Sequence, residues 1–370
     1  MGIYDRDYIR EQPTSGGFLR GRGSPLGMFS VTTWLIILCA AVFFVDGFTP
    51  LSWVTTGGPY ITHPDASENP SDWVVEPPPQ PGPRQAPLLK LAIYDRQAFE
   101  QGVAIAIGWY EVQQMHFLTQ WLHFSTARGI ITFQSSGKIV GFEFWRLIGF
   151  QFLHANMAHL VFNMIGLFFF GPIVEQHLGR KRYLAFYLLS GIFGALMYLL
   201  LNLGGMVAQM IAQEPVQIPG LLFNDPKTPL VGASAGVFGV LMAGAYLAPN
   251  IMVLLFFFIP MRLRTLAYGL VLLAVITVLT GGANAGGEAG HLGGAIAGWY
   301  FIRHPHHLHG FFDILGRVDP TSHHYRGRGR GGGRATQEAE IDRILLKIKE
   351  QGMNSLTARE RRLLQEASRE

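Results

Sequence analysis

Charged residues are scarce in this chain of 370 residues. Lys, Arg, Asp and Glu make up 15% of it, against roughly 25% in an average soluble domain. Apolar residues account for 49%, and the mean hydropathy is +0.24. The shortage of charge excludes an ordinary cytosolic enzyme, and the apolar content excludes a disordered chain. The composition therefore predicts a protein that crosses a lipid bilayer several times.

Cysteine is almost absent from the sequence. Because the only one, Cys39, lies within an apolar run, neither a disulfide framework nor a CxxC metal site is available within the chain. Six histidines between residues 304 and 324 are irregularly spaced in a Gly- and Arg-rich segment. This pattern favours a solvated linker over a metal site. We therefore expect no metal ion and no cofactor.

Six apolar runs have the length, or nearly the length, of a membrane-spanning helix, which needs about 20 residues. They cover residues 29–45, 155–174, 183–203, 232–249, 265–281 and 289–302. The last run is the shortest and needs its flank at residues 286–288 to span a bilayer. The runs predict an all-α, polytopic membrane protein built as a bundle of six transmembrane helices.

The basic residues lie in short segments beside the apolar runs, for example at residues 180–182 and at Arg262 and Arg264. Short loops rich in Lys and Arg remain in the cytoplasm. In a six-span topology every basic cluster falls on one side, so both termini are expected in the cytoplasm. Since topology accounts for the net charge of +4, we expect the lipid bilayer as a partner and not nucleic acid.

The segments between the apolar runs divide the chain into six predicted parts. They are a cytoplasmic N-terminal tail (1–27), the first transmembrane helix (28–48), an extracytoplasmic loop insertion (49–141), a core with transmembrane helices 2 to 6 (142–303), a His-, Arg- and Gly-rich linker (304–336) and a cytoplasmic helical hairpin (337–370). The first helix is predicted to be an uncleaved signal anchor. In the hairpin, Thr357 and Glu360 have the spacing of a capping box.

Polar side chains are costly within a bilayer, so each one in a span needs a reason. Four of them stand at the start of a predicted span, namely His159, Asn163, Ser234 and His291. Spans two, four and six run in the same direction, so these residues are expected at a similar depth near the outer end of the bundle. A serine hydroxyl becomes nucleophilic when a neighbouring base accepts its proton. Ser234 and His291 are therefore candidate catalytic residues.

Glycines flank both Ser234 and His291, and they lie at helical spacing. They are Gly232, Gly236, Gly294 and Gly298. Small residues allow two helix backbones to approach closely, as a Ser–His contact between helices requires. The same glycines also suit a simple helix packing face, which remains an alternative. The GxSxG elbow of soluble hydrolases is disfavoured, because that elbow joins a strand to a helix.

A hydrolytic site also needs donors for an oxyanion and often a carboxylate that orients the base. Ser234 opens its span, where unpaired backbone N–H groups can stabilise an oxyanion, and His159 and Asn163 offer side-chain donors one turn apart. Glu288 is the carboxylate closest to His291 in sequence, but we expect it to lie off the face of the histidine. The sequence thus predicts a Ser–His dyad.

In combination these residues resemble the rhomboid family of intramembrane serine proteases, in the bacterial form with a C-terminal cytoplasmic helical extension. The resemblance covers residues 142–303 and depends on five motifs. They are the Trp145–Arg146 pair, the segment from His154 through His159 to Asn163, the GxxxExxxG pattern at Gly171, Glu175 and Gly179, the sequence Gly232-Ala-Ser234, and the sequence His291-Leu-Gly-Gly294. One position departs from the family pattern, because Ala235 follows the serine where glycine is usual.

The resemblance implies a role for each matching residue. Ser234 would be the nucleophile and His291 the base, with His159, Asn163 and Ser234 forming the oxyanion hole. Phe238 would place an aromatic ring against the histidine. The other matching residues would shape or support the site: Gly232, Gly236, Gly294, Gly298, His154, Trp145, Arg146 and Glu175.

The function implied by the resemblance is that of a serine endopeptidase that cleaves transmembrane segments of membrane proteins near their extracytoplasmic end. The family requires no cofactor, and its bacterial members lie in the inner membrane. The alternative is a catalytically inactive member of the same architecture that binds membrane clients without cutting them. The presence of both Ser234 and His291 disfavours that alternative, since such a protein needs neither.

Overall fold

The computed structural model describes most of the chain between residues 29 and 311 and a few residues beyond. The described residues are 29–64, 66–67, 69–80, 88–129, 131–133, 139–141, 143–212, 216–255, 258–308, 310–311, 344, 356–357 and 360. The chain divides into two compact units, Met1–Arg303 and His304–Glu370.

A long helix lies at each of the six apolar runs. The helices are α1 Val31–Gly47, α2 Met157–Leu178, α3 Arg180–Ala212, α4 Ser234–Leu247, α5 Leu263–Thr280 and α6 Ala285–Arg303. Among the described residues, three helices (α2, α3 and α5) are long and apolar enough to cross a membrane. Helices α1 and α4 are apolar but shorter, and α6 has 19 residues and is rich in glycine. The structure thus supports three of the six predicted spans by length and composition.

The predicted loop insertion folds largely as a β-sheet. Its strands are β1 Leu51–Ile61, β2 Trp73–Val75, β3 Leu89–Asp95 and β4 Ala106–His116. They form one antiparallel sheet in the order β1-β4-β3-β2. Leu91 and Ile93 are buried on one face, as the two-residue period of a strand requires. The expectation of an all-α protein is therefore wrong for this segment.

Smaller elements connect the sheet and the long helices. They are the strand pairs β5 Ile131–Phe133 with β6 Ile139–Gly141 and β7 Met252–Leu255 with β8 Ile259–Arg262, short α-helices at Arg96–Glu100, Phe117–Leu122, Thr126–Gly129 and Arg146–Gly149, and 3-10 turns at Pro70–Asp72, Phe150–Phe152 and Pro305–Leu308. Between two of the short helices, Phe124 pairs with Leu230 through backbone hydrogen bonds of 3.0 and 2.7 Å. This pairing attaches the end of the insertion to the chain that leads into α4.

Helices α4 and α6 touch along their backbones. A Cβ on Gly294 would lie 2.6 Å from the carbonyl carbon of Ala235, and one on Gly298 would lie 2.7 Å from that of Gly239. No side chain fits at such distances, so glycine allows the two helices to approach closely at both positions.

Glu175 joins the end of α2 to the start of α1. Its carboxylate accepts hydrogen bonds from the backbone N–H groups of Val31 and Thr32, at 2.7 and 2.9 Å, and from Thr32 Oγ1 at 2.7 Å. The first N–H groups of a helix have no intrahelical partner, so the carboxylate satisfies them. Glu175 lies 16 residues after His159, or about 24 Å along the helix, and its contacts are structural.

The sheet is attached to the segment that precedes α4. Asp225 Oδ2 accepts hydrogen bonds from Gly58 N at 2.9 Å and from Tyr60 Oη at 3.1 Å. Lys227 Nζ donates to the Gly58 carbonyl and lies 5.6 Å from the centre of the Tyr110 ring. Burial and the nearby carboxylates of Asp225 and Glu111 raise the pKa of Tyr60 to about 12. The tyrosine hydroxyl thus remains a donor to Asp225 at neutral pH.

In the second unit, Thr357 and Glu360 form the predicted capping box. The Glu360 carboxylate accepts a hydrogen bond from Thr357 N at 2.8 Å, and Thr357 Oγ1 accepts one from Glu360 N at 3.3 Å. This prediction is confirmed. The predicted tail at 1–27, most of the linker at 304–336 and most of the hairpin at 337–370 lie outside the described residues.

Candidate active site

One cavity brings the four predicted polar residues together. Its volume is about 1470 Å³, and His159, Asn163, Ser234 and His291 all line it. They come from α2, α4 and α6, which are far apart in sequence. The rest of the wall is mainly apolar and includes side chains of α2 and α5, such as Phe169 and Leu270.

Ser234 is the first residue of α4. Two residues before it, the backbone conformation requires glycine. Gly232 has φ +135, a conformation that side chains other than glycine rarely adopt. A Cβ at this position would lie 2.9 Å from His159 Nε2 and 3.4 Å from Ser234 Oγ. The gap left by Gly232 therefore lies between the serine hydroxyl and the His159 ring. A Cβ would also lie 2.7 Å from His159 Cε1, so only glycine fits between the two side chains.

The hydrogen bonds of His159 suit it to donate from Nε2. Its Nδ1 accepts a hydrogen bond from Ala155 N at 3.4 Å, so in the neutral ring the proton is on Nε2. That atom faces the gap at Gly232. Asn163, one turn later, donates from Nδ2 to the His159 carbonyl at 2.8 Å and retains a second amide proton.

The His291 ring is held on two sides. Its Nδ1 lies 2.9 Å from Glu288 Oε2, and its plane stacks on the Phe238 ring with 4.2 Å between centroids and 8° between planes. The prediction that Glu288 lies off the histidine's face is wrong, because residues three apart on a helix share a face. That i, i+3 spacing in the sequence was the signal for this contact. With Nδ1 occupied, Nε2 is the ring nitrogen available to a reacting group.

Ser234 and His291 share the cavity without bonding to each other. Among the contacts of the residues that the structure describes, no hydrogen bond joins Ser234 Oγ to the His291 ring. Catalytic hydrogen bonds are often long in a substrate-free site and shorten when substrate binds. The arrangement therefore places the candidate nucleophile and the candidate base on adjacent helices.

The neighbours of Ser234 are also fitted closely. A Cβ on Gly236 would lie 2.6 Å from the Tyr187 ring, and one on Gly194 of α3 would lie 2.5 Å from Ala235 Cβ. The methyl group of Ala235, the departure from the family pattern, therefore occupies space that Gly194 leaves empty. Sequence reasoning missed Gly194, because nothing local to Ser234 identifies its partner on another helix.

His154, Trp145 and Arg146 do not line the cavity. His154 is buried, and its ring meets that of His159 edge to face at a centroid distance of 5.2 Å. Trp145 is exposed and donates from Nε1 to the Trp121 carbonyl at 3.2 Å. Of these three residues, His154 is the one whose ring contacts a residue of the candidate site.

Arg146 is a buried cation that holds the end of the insertion. It donates to the carbonyls of Gln120 and His123, at 2.9 and 2.8 Å, and pairs with Glu143. Burial alone would raise the pKa of Glu143, but hydrogen bonds and charge from Arg146 and Arg128 outweigh burial and lower it. The ion pair thus fixes the loop that reaches Leu230 through Phe124.

With this geometry in place, comparison with known proteins defines the class. A Rhomboid domain model matches residues 141–304. Residues 141–304 therefore form a domain of the rhomboid family, and the long apolar helices agree with an integral membrane protein. Residues 332–370 match a family of unknown function, DUF6576.

Three relatives illustrate the similarity. RHOMBOID-like protein 12, mitochondrial, of Arabidopsis thaliana is 35% identical over 40% of this chain and 43% of its own length. From Bacillus subtilis, the putative rhomboid protease YdcA is 35% identical over 28% of this chain and 52% of its own. Rhomboid protease GluP from the same organism is 30% identical over 43% of this chain and 25% of its own. The matches therefore cover between a quarter and about half of these relatives.

Proposed function

We propose that the chain is an intramembrane serine endopeptidase that cleaves transmembrane segments of membrane proteins near their extracytoplasmic end. The observation that carries this proposal is the shared cavity, in which Ser234, His291, His159 and Asn163 meet from three helices. Relatives named as rhomboid proteases support the same activity.

The proposed chemistry proceeds through an acyl-enzyme. Ser234 Oγ attacks the carbonyl carbon of the scissile peptide, and its proton moves to His291 Nε2. When the C–N bond breaks, His291 returns that proton to the leaving amine. A water molecule, deprotonated by the same nitrogen, then hydrolyses the ester and restores Ser234.

In the proposed mechanism, hydrogen-bond donors stabilise the negative charge that develops on the carbonyl oxygen. His159 Nε2 faces the gap beside Ser234 Oγ, and Asn163 keeps an amide proton. The Ser234 backbone N–H lies at the positive end of the α4 dipole. Donors arranged before the reaction stabilise an oxyanion more than the neutral ground state, which lowers the barrier.

The apolar part of the cavity is suited to a substrate that arrives from the bilayer. Its walls come from α2 and α5, with side chains such as Phe162 and Leu270. A helical substrate hides its peptide carbonyls in hydrogen bonds, so it must unwind locally before Ser234 can attack. Polar groups at the serine end of the cavity can replace the bonds that unwinding breaks.

The topology of six transmembrane helices, α1 to α6, belongs to the same proposal. Both termini then lie in the cytoplasm, and the sheet insertion at 49–141 lies outside, beside the catalytic end of the 142–303 core. The bacterial inner membrane is the proposed location, and the partners are the lipid bilayer and transmembrane substrates. Nucleic acid is not among the proposed partners.

The test is cleavage of a model single-span substrate in liposomes by wild type, Ser234→Ala and His291→Ala. Both variants are expected to lose cleavage, and only wild type is expected to react with a fluorophosphonate probe. Gly269→Ala serves as a matched control, because a Cβ at this position on α5 meets nothing within 4 Å. A wild type that neither cleaves nor reacts would support the alternative, an inactive rhomboid-like protein that binds membrane clients.

A further inference from the structure

Glu288 is a carboxylate in the first turn of α6, and its side chain reaches the proposed base. Its Oε2 lies 2.9 Å from His291 Nδ1, and the two side chains are 22% and 16% exposed. The Glu288 backbone N–H donates to the Asn284 carbonyl at 3.0 Å, so the residue is fixed at the start of the helix. The contact is therefore built into the first turn of α6.

The geometry leaves the His291 ring little freedom. Phe238 lies parallel to one face at 4.2 Å, and the carboxylate accepts a hydrogen bond from Nδ1. A carboxylate accepts and never donates when ionised, so the neutral ring carries its proton on Nδ1. Nε2 is then unprotonated, as a base that takes the Ser234 proton must be.

Charge adds to this orientation. When His291 accepts a proton it becomes an imidazolium ion in a partly buried site, where an isolated charge is costly. A carboxylate at hydrogen-bond distance stabilises the imidazolium more than the neutral ring. The benefit therefore falls mainly on the transition state and should appear in kcat.

We propose that Glu288 is a positioning residue that fixes the tautomer of His291 and stabilises its protonated form, so that the site acts as a Ser–His–Glu triad. The inference depends on the proposed proteolytic function. A competing explanation is that Glu288 simply places negative charge at the N-terminus of α6, where it would favour the helix dipole.

Four variants of the full-length chain in liposomes separate these explanations. Glu288→Ala removes both the acceptor and the charge, and Glu288→Gln removes the charge alone. Glu288→Asp keeps the charge on a shorter side chain. Asn284→Asp combined with Glu288→Gln returns a negative charge to the start of α6 with an isosteric change, but away from His291 Nδ1.

We expect kcat for Glu288→Ala to fall roughly 100-fold or more, with KM within about twofold of wild type. Fluorophosphonate labelling should slow in the same proportion, because it needs the same activated serine. Glu288→Gln should lie between Ala and wild type, Asp should recover part of the rate, and the Asn284→Asp double variant should remain as slow as Glu288→Gln. Recovery of the double variant to the wild-type rate would overturn the inference in favour of the helix dipole.

A spectroscopic measurement tests the contact without activity. In protein labelled with ¹⁵N-histidine, the Nδ1 proton of His291, assigned by its loss in His291→Ala, should give a hydrogen-bonded resonance that disappears in Glu288→Ala. Cleavage that depends on Ser234 but is equal in wild type and Glu288→Ala would overturn the inference alone. A wild type that neither cleaves nor reacts with the probe would overturn the proposed function and this role of Glu288 with it.

Discussion

Helices α4 and α6 are in direct backbone contact, whereas α2 and α5 lie on opposite sides of a cavity. Between the first two, Gly294 and Gly298 leave no room for a methyl group. Between the second two, large side chains such as Phe169 and Leu270 line open space. The same small bundle thus contains a closely fitted helix pair and a separated one.

This difference between the two helix pairs agrees with the proposed chemistry. Two side chains that exchange a proton must be held to within a fraction of an ångström, and glycine contacts between rigid helices achieve this. A substrate helix is bulky and varied, so its entry needs space and an adaptable apolar wall. The closely fitted pair carries Ser234 and His291, and the separated pair is where we expect substrate.

The largest expected effect comes from forcing the fitted pair apart. Gly294→Ala places a Cβ 2.6 Å from the Ala235 carbonyl carbon, so α4 and α6 must separate. We expect a loss of about 3 kcal/mol in the free energy of unfolding and loss of cleavage, measured by denaturant titration and a substrate assay. Gly269→Ala on α5, with open space around it, should retain both properties. Equal behaviour of the two variants would contradict the comparison.

Lowering the pH should reduce the stability of the segment that holds the start of α4 in place. Burial is the main cause that lowers the pKa of His123 to about 4 from its ordinary 6.5, and Phe124 beside it pairs with Leu230 ahead of α4. As pH falls from 6.5 to about 4, the unfolded chain binds the proton first, so the folded state loses stability. The loss should reach about 2 kcal/mol at pH 5, measured by denaturant titration at each pH.

The control for the pH effect is His123→Asn, which does not titrate but can still donate to the Thr119 carbonyl that His123 Nδ1 contacts. Its stability should change less between pH 6.5 and 5 than that of wild type. The same slope in both proteins would assign the pH dependence to other groups.

A smaller effect is expected where α3 meets α4. Gly194→Ala brings its Cβ to 2.5 Å from Ala235 Cβ and 2.8 Å from the Gly290 carbonyl oxygen, which should cost about 1.5 kcal/mol. Ala235→Gly in the same chain removes the first clash but not the second. In a double-mutant cycle, Ala235→Gly should therefore restore part of the stability that Gly194→Ala removes. Strictly additive effects on stability would mean that the two residues are not in steric contact.

The smallest effect on stability, under about 1 kcal/mol, is expected on the separated pair. Leu270→Trp narrows the cavity and should lower kcat/KM for a single-span substrate roughly tenfold, while labelling by a small fluorophosphonate stays within twofold. Leu272→Trp, on the exposed side of α5, is the matched control and should leave both unchanged. A parallel loss of labelling in Leu270→Trp would indicate damage to Ser234 and not to substrate entry.

The positions of the long helices could be predicted because their cause is local. Apolar runs set α1 to α6 within a few residues, although α3 continues to Ala212 beyond its predicted end at 203. The position of Ser234 at the start of a predicted span and the His159–Asn163 spacing likewise identified residues that line one cavity. Both kinds of signal are carried by short stretches of sequence.

The parts that sequence reasoning missed depend on distant partners or on a misjudged face. Strand β1 pairs with β4, and Leu51 lies opposite His116, so the sheet shows no local pattern as strong as a helix. Ala235 needs Gly194, which is on another helix. Glu288 was visible at three residues from His291, but its side chain was assigned to the wrong face.

The attachment of the sheet to Asp225 and Lys227 has a consequence for protein engineering. The strands that carry Gly58, Tyr60 and Tyr110 satisfy a carboxylate and an ammonium group on the segment just ahead of Ser234. A shortened chain that omits the insertion would leave both charges without these partners. Trimming the chain to its helical bundle therefore requires redesign of Asp225 and Lys227 in the same step, since the two parts are no longer separable modules.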